Sequence, residues 1–92
     1  MHKEETKMIS RKVIINSLVG LHARPASVFS RTAKKYESKV RVKYKNKEVN
    51  GKSAIHLISL NAKYGVEIEI IVDGPDESKA LDELCLILEK EE

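Results

Sequence analysis

Two stretches of the chain alternate apolar and charged residues with a period of two: KVRVKYK at 39–45 and VEIEIIV at 66–72. That period belongs to a β-strand, whose successive side chains point to opposite faces. Val40, Val42 and Tyr44 share one face of the first stretch; Lys39, Arg41, Lys43 and Lys45 share the other. Val66, Ile68, Ile70 and Val72 share one face of the second. Strands written this way build a sheet that is dry on one side and wet on the other, which points to an antiparallel sheet covered on one face only.

The remaining segments supply further strands and the cover. ISRKVII at 9–15 has strand composition. Residues 23–35 read as a helix, with Ala26, Phe29 and Ala33 on one face and Ser27, Arg31 and Lys34 on another. Asn46-Lys47 reads as a two-residue turn into a short strand at 47–50. Asn50-Gly51 then breaks the chain, and Ser53 is placed to cap a short helix, AIHLISL. Gly74-Pro75 makes a turn, and Asp76 is placed to cap a last helix, ESKALDELCLILEKEE. Ala80, Leu81, Leu84, Ile87 and Leu88 form its apolar stripe. The order βαββαβα gives an α+β fold, an open-faced β-sandwich: a four-stranded antiparallel sheet with three helices on one face.

Ninety-two residues make one domain, able to bury roughly 60–70% of the surface of the unfolded chain. That domain is expected over 9–92, behind a short disordered leader at 1–8. With four aromatic residues and no tryptophan, its core must be aliphatic. No run approaches the ~18 apolar residues that span a bilayer, and MHKEETKM has no apolar signal core, so neither membrane insertion nor export is expected. The lone Cys85 forms no internal disulfide and no cysteine metal cage, which suits a cytoplasmic setting. It is expected to pack beside the last helix's stripe as a small hydrophobe. No His, Cys and carboxylate set has ligand spacing, so no metal or cofactor is expected. GKS at 51–53 is not a P-loop, because Asn46 stands where the motif needs its first glycine.

Charge is unevenly spread. Residues 31–52 hold nine Lys/Arg and two acids; residues 67–92 hold ten acids and two lysines. Two readings stay open: steering of an acidic partner, or pairing across one sheet, with Glu67 and Glu69 opposite Arg41 and Lys43. Nucleic-acid binding by the basic 39–47 hairpin is not expected, since no aromatics interleave on its exposed face.

The stretch GLHARPAS, residues 20–27, carries the candidate chemistry. Pro25 suits the first turn of a helix and fixes its start. His22 then stands at the helix mouth, where unpaired N–H groups suit a phosphate, and Arg24 adds a charge-assisted donor for phosphate oxygens. A neutral imidazole nitrogen there can attack a phosphoryl group. The plainer reading is a surface histidine that only caps the helix. No base, metal ligand set or nucleophile elbow accompanies it, which suggests a stoichiometric acceptor whose partners supply the catalysis.

GLHARPAS, followed 31 residues after its histidine by the serine of NGKSAIHLISL, resembles the HPr family over residues 9 to the C-terminus. These are the histidine-containing phosphocarriers of the bacterial phosphoenolpyruvate:sugar phosphotransferase system. The resemblance implies that His22 is phosphorylated on Nδ1 by phospho-Enzyme I and passes the group to IIA domains of sugar permeases. Arg24 and the amides after His22 would stabilise the phosphohistidine. Partners would dock on Ser27, Arg31 and Lys34 of the first helix and Ala54, Ile55 and Ile58 of the second. The chain would be a carrier rather than an enzyme, and a monomer is expected. Ser53 matches a serine that a dedicated kinase/phosphorylase modifies in many Gram-positive bacteria, where the phosphoserine slows histidine phosphorylation and recruits a catabolite repressor. Ala54 replaces a larger aliphatic residue there, and His56, expected to face solvent, stands where glycine is common. The Glu92 carboxylate is a candidate contact for Arg24.

A regulatory module working mainly through phospho-Ser53 is the competing reading, and the intact His22 speaks against it.

Overall fold

The computed structural model describes residues 8–90. Its elements are β1 (Met8–Ile14), α1 (Ala23–Ala33), β2 (Lys39–Tyr44), β3 (Lys47–Asn50), α2 (Ala54–Ser59), β4 (Glu67–Asp73) and α3 (Glu77–Glu89). All strand pairs are antiparallel, in the order β1-β4-β2-β3. The expected βαββαβα order and open-faced sandwich are therefore those observed.

The alternation in β2 and β4 builds the dry face. Val13, Val40, Val42, Ile68, Ile70 and Val72 are between 0 and 3% exposed. Val42 lies opposite Ile70, and Val40 opposite Val72. Phe29 of α1, Leu57 of α2 and Leu81, Leu84 and Leu88 of α3 complete an almost wholly aliphatic core. Cys85 is buried among them, and burial pushes its thiol up, so it packs as a small hydrophobe.

Several boundaries differ from the sequence reading. β1 begins at Met8, inside the stretch read as leader, because Met8 pairs with Asp73. The rest of that leader, and residues 91–92 with the Glu92 carboxylate, lie outside the described residues. α1 ends at Ala33, where the Lys34 N–H donates to the Ser30 carbonyl at 3.0 Å. The hairpin turn is Lys45-Asn46, one residue earlier than expected: Tyr44 pairs with Lys47, and Lys45 takes a φ of 57° to reverse the chain.

The wet face corrects the charge-pairing expectation. Lys43 does lie opposite Glu69, which faces Lys12 on its other side. Partners in an antiparallel pair run in opposite directions, so that register places Arg41 opposite Ile71. Arg41 instead forms its ion pair with Glu48 of β3, and Glu67 lies opposite Ile14.

Asp76 also departs from expectation. It occupies the position before α3, but its side chain makes no cap hydrogen bond to that helix. Its carboxylate accepts the N–H groups of Glu37 at 2.9 Å and Ser38 at 3.0 Å, and the Ser38 hydroxyl. The charge that could cap a helix is drawn to a denser set of donors on the chain entering β2. Tyr36, which donates to Glu83, joins the exit of α1 to α3 as well.

Candidate functional site

The site begins with the chain leading into α1. Gly20 has φ +80°, and a Cβ there would stand 2.8 Å from the Ala62 carbonyl oxygen, so glycine is required. Its N–H donates to Ser17 O at 2.9 Å, and the Leu21 N–H donates to Ala62 O at 2.9 Å. Leu21 is buried. These contacts fix the backbone immediately ahead of His22.

His22 is the N-cap of α1, in extended conformation, and its carbonyl accepts the Ala26 N–H at 2.9 Å. Its ring makes no cap hydrogen bond. The plainer reading, a histidine spent on capping, does not describe this geometry. The ring is half-buried at the helix mouth. Pro25 is buried in the first turn and brings no N–H. The amides of Ala23 and Arg24 have no helical carbonyl before them, and the helix dipole makes this end partly positive. Arg24 is exposed and lines one open hollow with His22, Leu18 and Val19. Imidazole and guanidinium are thus brought together, at a place suited to an added anionic group.

The residues expected to form the partner face lie at the surface of α1 and α2. Ser27 and Arg31 of α1 are exposed, as is its C-cap, Lys34. On α2, Ile55 is 77% exposed and Ile58 40%, while Leu57 between them is buried and Ala54 half-buried. α1 and α2 pack against each other. Lys47 helps hold α2 in place by donating to the Ser59 carbonyl at 3.1 Å. Ser53 is the N-cap of α2: its Oγ accepts the His56 N–H at 3.3 Å. It stands outside the hollow that holds His22. His56 is exposed, as expected.

Leu18 and Val19 are absent from the sequence reading of the site. They lie between a strand and a glycine turn and belong to neither a strand face nor a helix stripe. Only the run of two apolar residues in a loop, directly before GLHARP, could have marked them.

Residues 9–90 match the family model described as "PTS HPr component phosphorylation site". The chain is 38% identical over 82 residues to the phosphocarrier protein HPr of Borreliella burgdorferi, covering 89% of this chain and 95% of that one. This chain belongs to the HPr family. It is 37% identical over 84 residues to the HPr-like protein Crh of Bacillus subtilis, covering 91% and 99% of the two chains. The crystal structure of the phosphocarrier protein HPr from Bacillus anthracis superposes with a TM-score of 0.84 at 31% identity, covering 88% of this chain and 96% of that one. The resemblance carried by GLHARPAS is therefore a true family relationship, to the HPr phosphocarriers of the phosphotransferase system, and the open-faced sandwich is the fold that the family shares. Among the described residues, no helix is long and apolar enough to cross a membrane.

Proposed function

We propose that His22 accepts a phosphoryl group from phospho-Enzyme I and hands it to IIA domains of sugar permeases. The observation that carries this reading is a half-buried imidazole at the N-cap of α1 that gives no hydrogen bond to the helix and shares a hollow with Arg24. In the step itself, a ring with its proton on Nε2 offers the Nδ1 lone pair. The N–P bond to Nδ1 forms as the bond between phosphorus and the donor's leaving group breaks. Arg24 and the first-turn amides of α1 then hold the added charge. The resulting phosphoramidate is labile, so the group can move on. The chain acts as a stoichiometric carrier, as a cytoplasmic monomer, with catalysis supplied by its partners.

Ser27, Arg31, Lys34, Ala54, Ile55 and Ile58 form the docking face in this reading: basic side chains beside exposed isoleucines suit partners with acidic, partly apolar surfaces. Ser53 is the proposed site of regulatory phosphorylation by a serine kinase/phosphorylase, with a catabolite repressor as reader. It caps the helix that presents Ile55 and Ile58, so a phosphate there changes the charge of the docking face.

The test is a pulse and chase. Enzyme I and labelled phosphoenolpyruvate should load the chain with acid-labile, base-stable label, and an added IIA domain should remove it. No loading with an active Enzyme I would refute the reading.

A further inference from the structure

The chain leaves β1 and crosses residues 16–20 to reach His22, running between two fixed posts. At the first, the Ile15 N–H donates to Val66 O at 2.9 Å and the Gly65 N–H donates to Ile15 O at 2.8 Å. At the second, the Leu21 N–H donates to Ala62 O at 2.9 Å. Between them, Asn16 ties the chain to the end of α3: its N–H donates to Leu88 O at 3.3 Å and its Nδ2 to Glu89 O at 3.0 Å. Both acceptors are last-turn carbonyls, which a helix leaves without an N–H of its own. No other side chain from 16 to 20 shares this work. The Ser17 hydroxyl is buried without a hydrogen-bond partner among the described residues, and Leu18, Val19 and Gly20 bring no polar side chain. The backbone of the histidine is then built on the neighbour of Asn16: Ser17 O accepts the Gly20 N–H at 2.9 Å, and Gly20 O accepts the His22 N–H at 3.1 Å.

We propose that Asn16 is a positioning residue for His22, holding the loop at the angle that sets the imidazole in the mouth of α1. This rests on the reading of His22 as the phosphoryl acceptor. Group transfer tolerates little displacement: a misplacement of ~1 Å can cost about a hundredfold in rate. Released from Glu89 O, residues 16–20 can pivot about Ile15, and Ser17 O carries Gly20 and His22 with it. Asn16 does not line the hollow that holds the ring. It acts through the backbone on the rate of transfer and leaves the docking of partners unchanged.

The full chain carrying Asn16→Ala or Asn16→Asp tests this in steady-state phosphorylation by Enzyme I. The first removes the Nδ2 donor, and the second sets a carboxylate against the Glu89 carbonyl. The kcat for loading should fall about tenfold in Asn16→Ala and further in Asn16→Asp, with KM unchanged. The Gly20 and His22 amides should exchange their hydrogens faster in both variants. Asp82→Ala breaks another tie between β1 and α3, the Arg11–Asp82 ion pair, and should keep the wild-type kcat and amide exchange. Val72→Ala lowers the urea midpoint through the core alone and should keep the wild-type kcat. An unchanged kcat in both Asn16 variants would overturn the proposal. So would a rise in KM at constant kcat, which would make Asn16 a docking residue. An equal fall of kcat in Val72→Ala would also overturn it, by reducing the effect to lost stability. Wild type that takes up no phosphoryl group would instead remove the acceptor reading itself.

Discussion

Asp76 grips Ser38: its carboxylate accepts both the Ser38 N–H, at 3.0 Å, and the Ser38 hydroxyl, while leaving its own helix uncapped. The Ser38 hydroxyl first, and the Glu37 amide next, hold the Asp76 carboxyl below its ordinary value of 3.8 against the opposing effect of desolvation. A carboxyl with a lowered folded-state pKa stabilises the fold above its unfolded value and loses that contribution as pH falls through the folded one. Asp76→Asn should therefore show a lower urea midpoint than wild type at pH 7, and the gap should close below about pH 4. A gap that persists unchanged into acid would show that the carboxylate charge is not what holds Ser38.

Tyr36 gives the mirror-image case. Its hydrogen bond to Glu83, with a smaller effect of burial, pushes the phenol up to about 12. A raised tyrosine pKa stabilises the fold below the unfolded value of about 10 and loses that contribution as pH rises through the folded one. Ultraviolet titration should show one of the three tyrosines ionising last. Glu83→Gln should move that transition back toward the ordinary tyrosine range.

Gly20 and Gly65 both have φ near +80 to +86°, but only Gly20 has a backbone oxygen where a Cβ would go. Gly65→Ala should cost the conformational penalty alone, ~1–2 kcal/mol. Gly20→Ala should cost more in chemical denaturation and should also slow loading of His22, because Ala62 must move and Leu21 with it. Equal stability losses would mean that the loop relaxes freely around residue 20.

Neighbouring residues of α2 separate packing from docking. Leu57→Ala should lose about 2–5 kcal/mol, since Leu57 is 1% exposed in the core. Ile55→Ala should stay within about 0.5 kcal/mol of wild type, since Ile55 is largely exposed, yet raise the KM for Enzyme I. An Ile55→Ala variant with wild-type KM would exclude Ile55 from the docking face.

The elements were legible wherever one period ran long enough to show a face. Val40 and Val42, or Ile68, Ile70 and Val72, could only be strand residues of a one-sided sheet. The start of α1 was legible because Pro25 permits few positions. What could not be read was register and side-chain choice between competing donors. Arg41 finds Glu48 rather than a β4 glutamate because the alignment of β2 with β4 is set by the shared apolar face, which composition does not number. Asp76 leaves its helix because Glu37 and Ser38, 39 and 38 residues away, arrive beside it only in the folded chain. Leu18 and Val19 escaped for the same reason: nothing local says that Asn16 will be fastened to the end of α3.

The phosphoryl load of single chains, read by intact mass after incubation with Enzyme I and phosphoenolpyruvate, tests His22 most directly. Wild type and Ser53→Ala should each gain one phosphoryl group, and His22→Ala should gain none. A His22→Ala chain that still takes up the group, or a wild-type load lying on any other residue, would contradict His22 as the acceptor.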